Sequence, residues 1–198
     1  MAKVDLDLIQ QLRDRTGLGM MDCKKALTEA HGDIEAAILL LRKKGAAVAE
    51  KRSGNATAEG LIHAYIHPGS RVGVLIEINC ETDFVARTDD VKNFAQDVCM
   101  HIAAYRPRYV SPDEMDQAFV EQERAIAREQ LVASGKPEKM IDQILQGKMD
   151  RLASEVCLLK QSFVKNDQVT VDDVLKELIG KLGESIKIKR FARFEIGA

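Results

Sequence analysis

VGVLIEINCETDFVARTDDV, residues Val72 to Val91, is the stretch on which the fold turns. Val72, Val74, Ile76 and Ile78 alternate with Gly73, Leu75, Glu77 and Asn79, which predicts a strand with one apolar face. The alternation stops at Cys80. A polar corner follows, Glu81-Thr82-Asp83, then Phe84 and Val85, and a helical pattern starts near Thr88. Two readings compete at this corner. In one, Phe84 tucks into the core while Thr82 or Asp83 caps the helix. In the other, Asp83-Phe84 stands out at a strand-to-helix junction, where folds tend to display chemistry. Local sequence alone favours the first.

Working outward, Leu61 to His67 reads as a partner strand with Ile62, Ala64 and Ile66 on one face, joined through a Pro68-Gly69-Ser70 turn. His63 and His67 share the other face. Four residues of strand separate them by about 13 Å, too far for one metal ion, so a solvated face is the expectation. A late strand, Ser185 to Ile196, puts Ile186, Ile188, Ala192, Phe194 and Ile196 on one face. Arg190 interrupts that face and must snorkel or meet a carboxylate. Helices fill the space between: Val91 to Ala104, a hairpin over about 113–159 broken at Gly135-Lys136-Pro137 with a second interruption near Gly147, and Thr170 to Lys181. Residues 53–198 are therefore expected to form an α+β domain with a three-stranded antiparallel sheet.

Ahead of it, residues 1–52 read as three short helices plus a linker helix. The first carries Val4, Leu8, Ile9 and Leu12 on one face and closes at Gly17. The second covers about Met21 to Ala30. Asp33 caps the third, Ile34 to Lys44, with Gly45 as a stop or weak point. The Gly17-Leu18-Gly19 turn resembles that of a ubiquitin-associated three-helix bundle. A bundle this small usually grips a partner, and Met20 and Met21 beside the turn offer either core filling or an adaptable contact surface.

Composition narrows the function. Of 198 residues, 29 are Lys or Arg and 31 Asp or Glu, so the net charge of -2 provides no field for nucleic acid. Trp is absent and aromatics are 5%, against a base-stacking surface. No apolar run spans a membrane and no signal peptide is evident, so a cytoplasmic protein is expected. Cys23, Cys80, Cys99 and Cys157 lack metal-site spacing and read as buried free thiols. Phosphate loops, nucleophile elbows and zinc-protease motifs are missing, and the four histidines have no evident triad partners. No cofactor, metal site or catalysis by its own side chains is expected.

Three strings then carry a resemblance. Leu12-Arg13-Asp14-Arg15-Thr16-Gly17-Leu18-Gly19-Met20-Met21-Asp22-Cys23-Lys24-Lys25-Ala26-Leu27, Cys80-Glu81-Thr82-Asp83-Phe84-Val85-Ala86-Arg87 and Gly183-Glu184-Ser185-Ile186-Lys187-Ile188-Lys189-Arg190-Phe191 resemble, in order, the signatures of the elongation factor Ts family. Ser185 stands where that family often has Asn. The resemblance implies a guanine-nucleotide exchange factor for the translational GTPase elongation factor Tu. It implies the short form with one core subdomain, a homodimer in a 2:2 complex. By the same resemblance, Thr82, Asp83, Phe84 and Val85 dislodge the partner's Mg²⁺, while Arg13, Met20, Met21, Leu182 and Gly183 bind the partner. The competing reading, resting on the first 45 residues alone, is an adaptor without exchange activity.

Overall fold

The computed structural model describes residues 5–197, so Val4 lies outside the described residues. The chain begins with three helices: α1 (Leu6–Thr16), α2 (Met20–Glu29) and α3 (Ile34–Arg52). Their boundaries follow local chemistry. The Asp5 carboxylate accepts from the Asp7 amide at the start of α1, and Gly17 ends it in the left-handed region (φ 66°), donating to the Arg13 carbonyl. Asp33 caps α3 by accepting from the Ala36 amide. Ile9, Leu12, Cys23, Ala26, Leu27, Ala37 and Leu41 form the bundle's core.

The remaining elements are β1 (Glu59–Ile66), β2 (Val72–Cys80), a one-turn helix α4 (Asp83–Ala86), α5 (Asp89–Tyr105), α6 (Gln117–Ala133), α7 (Glu138–Val156), β3 (Ser162–Phe163), β4 (Asn166–Thr170), α8 (Val171–Leu182) and β5 (Ile186–Glu195). The fold is α+β as expected, with a sheet ordered β1-β2-β5. Its strands are antiparallel. The His67 amide bonds the Val72 carbonyl across the first turn. Arg190 meets Glu77 at 2.6 Å and the Ile196 amide meets the Arg71 carbonyl, so numbers rise on one strand as they fall on the other. Arg190 thus finds a carboxylate.

The chain divides into two compact units. One comprises residues through Leu61, Ile78–Asn93 and Asp173–Lys187; the other comprises Ile62–Glu77, Phe94–Asp172 and Ile188 onward.

In the first unit, α3 does not stop at Lys44 but runs through Gly45 to Arg52. Gly45 is a packing position. A side chain there would lie 3.3 Å from the Lys176 carbonyl, and one at Gly180 would lie 2.6 Å from the Gly45 Cα. Two glycines allow α3 and α8 to touch backbone to backbone.

In the second unit, two strand faces differ from expectation. Ile62 (67% exposed) and Ile66 point to solvent, while His63 is half-buried and bonds the Gln96 side chain at 2.7 Å. His67 is exposed and bonds the Tyr65 hydroxyl. On β5 the expected single face splits. Ile186 and Ile188 are buried, but Ala192 and Phe194 (70% exposed) are outside, while Phe191 and Arg193 turn partly inward. An apolar row reads alike whether it faces a core or a bare sheet surface. The helical hairpin also differs in detail. The Asp116 carboxylate caps α6 by accepting from the Ala118 amide, and α7 passes Gly147 unbroken. Ala127, Leu131, Ile141 and Leu145 zip the two helices together. A short antiparallel β3–β4 hairpin follows.

His101 is fully buried in the second unit and stacks on Tyr105. Its Nδ1 accepts from the Val164 amide at 3.2 Å and its Nε2 lies 2.9 Å from Gln161 Oε1. The Gln161 amide group donates to the Glu155 carbonyl, which points its oxygen at the ring. The imidazole is therefore neutral with its proton on Nε2. Burial lowers its pKa, opposed by the Gln161 hydrogen bond. Protonation would set an N–H against the Val164 N–H. The unfolded chain takes up this proton near pH 6.5 and the folded chain resists it, so stability is constant above that pH and falls below it. The expected slope is at most about 1.4 kcal/mol per pH unit, lost between pH 6.5 and the lowered folded value. Urea unfolding of wild type and His101→Leu from pH 8 to 5 checks this. A slope unchanged in the variant would refute the assignment to His101.

Candidate functional site

The corner after β2 is built from its backbone outward. Cys80 ends the strand fully buried, and burial, with Glu184 beside it, pushes its thiol up to about 11. Cys99 is pushed to about 12 by burial. Both act as packing groups, and all four cysteines are buried and free. Thr82 then caps α4: its Oγ accepts from the Val85 amide at 3.4 Å. The capping half of the first reading of this corner is therefore right. Its other half is not, because Phe84 is 79% exposed. Val85 (6% exposed) and Ala86 are the residues that tuck in, and they anchor the turn. Thr88 begins α5, bonding the Val85 carbonyl and accepting from the Val91 amide. Asp83 stands outside and pairs with Arg87 at 2.8 Å. Both groups are well exposed, so the pair costs little to break.

The tip is braced from across the chain. The Glu81 carboxylate accepts the Ser185 amide at 2.6 Å and both contacts from Arg52 Nη1 at 3.2 Å. The Ser185 amide, then Asn55, and Arg52 hold this carboxyl below its ordinary value. Glu184 answers from the opposite loop. It accepts from the Thr82 amide at 3.2 Å and from the Thr82 hydroxyl at 2.9 Å. The second and third sequence signatures therefore meet in space, about one hundred residues apart along the chain. Ser185 contributes only its backbone amide, so the departure from Asn leaves this bond intact.

Gly183 closes α8 in the left-handed region (φ 71°), donating to the Ile179 carbonyl, with Leu182 half-buried before it. Two residues before Gly183, Lys181 bonds Asp90 at 2.6 Å, and its Nζ sits 3.0 Å from where a side chain on Gly17 would begin. The α1–α2 turn therefore packs beside the end of α8. Arg13, Met20 and Met21 are exposed on the bundle side of that turn. Every residue that the resemblance gives a part in partner binding or Mg²⁺ displacement lies in the first unit. Of these, only Val85 is buried. The reading missed Glu81, Glu184 and Arg52. Glu81 and Glu184 fall inside the quoted strings, but nothing local gives any of the three a role, because each gains meaning from a partner distant in sequence.

An exposed aromatic on a braced turn and an exposed Met pair on a small bundle are the features of a protein-contact surface. Comparisons agree. The family described as "Elongation factor TS" matches residues 23–198. Elongation factor Ts of Carboxydothermus hydrogenoformans is 52% identical over 190 residues, covering 96% of this chain and 88% of that protein. Elongation factor Ts of Syntrophus aciditrophicus is also 52% identical over 190 residues, covering 96% and 94%. That of Desulfosudis oleivorans is 50% identical over 197 residues, covering 100% of both chains. The chain belongs to the elongation factor Ts family, the nucleotide exchange factors of elongation factor Tu.

Proposed function

We propose that this protein binds elongation factor Tu in its GDP form and uses the Asp83-Phe84 tip to disturb the Mg²⁺ and phosphate region. A GTPase holds its nucleotide through backbone amides, a lysine and a Mg²⁺ that bridges phosphate and protein oxygens. Phe84 enters between elements of the GTPase, and Asp83 releases Arg87 to compete for the contacts that position the metal. Phosphate charge is then uncompensated, and GDP leaves. Each 1.4 kcal/mol of lost nucleotide affinity is a factor of ten. The factor stays on the nucleotide-free state until GTP displaces it, because the coupling is reciprocal. Arg13, Met20, Met21 and the Leu182-Gly183 corner grip the partner beside the tip, and residues 1–52 act as the gripping domain. The single observation that carries this reading is the 79% exposure of Phe84 on a turn anchored by Val85 and Ala86 and braced by Glu184.

Catalytic amounts of the protein should speed release of a fluorescent GDP from elongation factor Tu in the cytosolic range of Mg²⁺. No acceleration, with nucleotide-independent capture of the GTPase, would leave the adaptor reading instead.

We further propose that the protein is a homodimer serving two GTPases, through the outer face of its sheet. Ile62, Ile66, Leu75, Phe194 and Ile196 all stand exposed there within the second unit. A bare apolar face of this kind invites a second copy. Light scattering should give twice the chain mass, and Ile66→Glu together with Phe194→Glu should give the monomer mass with the fold intact. A wild-type monomer at micromolar concentration would refute it.

A further inference from the structure

We propose that Glu184 is a positioning residue for nucleotide exchange, holding Phe84 in its working place through the hydroxyl of Thr82. This inference rests on the exchange-factor reading and deepens it.

The tip has little holding it from within. The helix α4 is a single turn of four residues, and an isolated turn does not persist in water. Phe84, 79% exposed, adds little packing of its own, and Asp83 is held by an exposed pair with Arg87. Val85 and Ala86 anchor one side of the turn. Its entrance is Thr82, and Thr82 is bound twice to one carboxylate. The Thr82 amide donates to Glu184 Oε2, and the Thr82 hydroxyl donates to Oε1 at 2.9 Å and Oε2 at 3.2 Å. That same hydroxyl oxygen accepts from the Val85 amide. Glu184 therefore fixes the hydroxyl's proton toward itself and leaves the oxygen lone pair aimed at α4. The capping bond and the carboxylate bond support each other, with the negative charge at the end where the amides converge.

The return strap runs the other way. Glu81, immediately before Thr82, accepts from the amide of Ser185, immediately after Glu184. Two adjacent residues on each loop thus exchange acceptors crosswise: 81 with 185, and 82 with 184. Arg52 holds the Glu81 end. A single strap would allow the turn to pivot about one bond, while two opposed straps fix both its place and its tilt. The direction of the Phe84 side chain, one residue beyond Thr82, follows from that tilt. The hydrogen bonds of Glu184 go to Thr82, so it acts on Phe84 through the backbone. Preorganising a wedge lowers the cost of using it, and so raises the rate of the step in which the wedge acts more than the affinity of the whole surface.

The test is a kinetic split in the full-length protein. In fluorescent-GDP release from elongation factor Tu, Glu184→Ala should lower the maximal release rate about tenfold. The half-saturating concentration should change less than threefold, because the bundle's grip is untouched. Glu184→Gln keeps one acceptor and should fall between. In the Phe84→Ala background, Glu184→Ala should have a much smaller effect, since the main residue it positions is gone. In the free protein, hydrogen exchange at the Thr82 amide should speed at least tenfold in Glu184→Ala with the thermal midpoint little changed. A Glu184→Ala protein that releases GDP at the wild-type rate overturns the proposal while leaving the exchange reading intact. So does an equal loss with and without Phe84. Should the Ala variant not fold, the same comparisons with Glu184→Gln decide it. Wild type failing to accelerate release at all would overturn the exchange reading, and this proposal with it.

Discussion

Phe84→Ala is expected to leave the protein folded and able to bind elongation factor Tu while cutting its acceleration of GDP release by about 100-fold, roughly 2.7 kcal/mol of barrier. The two halves of that expectation come from one number. A phenyl ring 79% exposed has almost no packing in the free protein to lose, so its removal costs little stability. The same ring, once enclosed by a partner, gains about 1.5–3 kcal/mol from burial alone. Aromatic anchors of this kind are where interface energy concentrates. If that energy were spent on ground-state binding, the half-saturating concentration would rise and the maximal rate would hold. A wedge predicts the reverse. The measurement is the maximal rate of fluorescent-GDP release at saturating variant, with a thermal melt to show the fold is intact. A Phe84→Ala protein as fast as wild type at saturation would end the wedge mechanism.

The contrast between Phe84 and its neighbours shows what the sequence can carry. Helix ends in the bundle were legible because their signals are local: Gly17 takes a left-handed turn, and Asp33 caps three residues ahead. The inner face of β2 was legible because Val74, Ile76 and Ile78 follow the period of a strand and are buried. The face of β1 was not, since Ile62 and Ile66 would look the same on either side of a sheet. Period reveals that a face is apolar but not what covers it. Gly45 was ambiguous because a glycine that ends a helix and one that admits a neighbouring backbone are identical in sequence. The candidate site was legible only by family resemblance. Its bracing by Glu81 and Glu184 was not legible at all, because it consists of pairs about a hundred residues apart.

The Gly45–Gly180 contact yields the largest stability effect expected in the chain, and it reverses the ordinary rule for glycine in helices. Replacing an interior helical glycine by alanine normally stabilises by about 0.5–1 kcal/mol, through backbone entropy and propensity. Gly147 in α7 meets that rule: apart from its chain neighbours and its own helix backbone, no described atom lies within 4 Å of the position a Cβ would take. Gly147→Ala should therefore raise the thermal midpoint by a few degrees. Gly180 in α8 is the opposite case. Its added Cβ would lie 2.6 Å from the Cα of Gly45, where the neighbour is backbone and cannot swing aside as a side chain would. The helices would have to move apart by about an ångström, losing contact along their crossing. Set against a propensity gain of about 1 kcal/mol, the net expectation for Gly180→Ala is a loss of about 2 kcal/mol or more, and larger for Gly180→Val. Because α8 ends at Lys181-Leu182-Gly183, the shift should also disturb the Lys181–Asp90 pair and the corner beside the tip. Thermal unfolding of the two alanine variants side by side is the check. Opposite signs for Gly147 and Gly180 support a backbone contact between α3 and α8, and a Gly180→Ala midpoint equal to or above wild type would refute it.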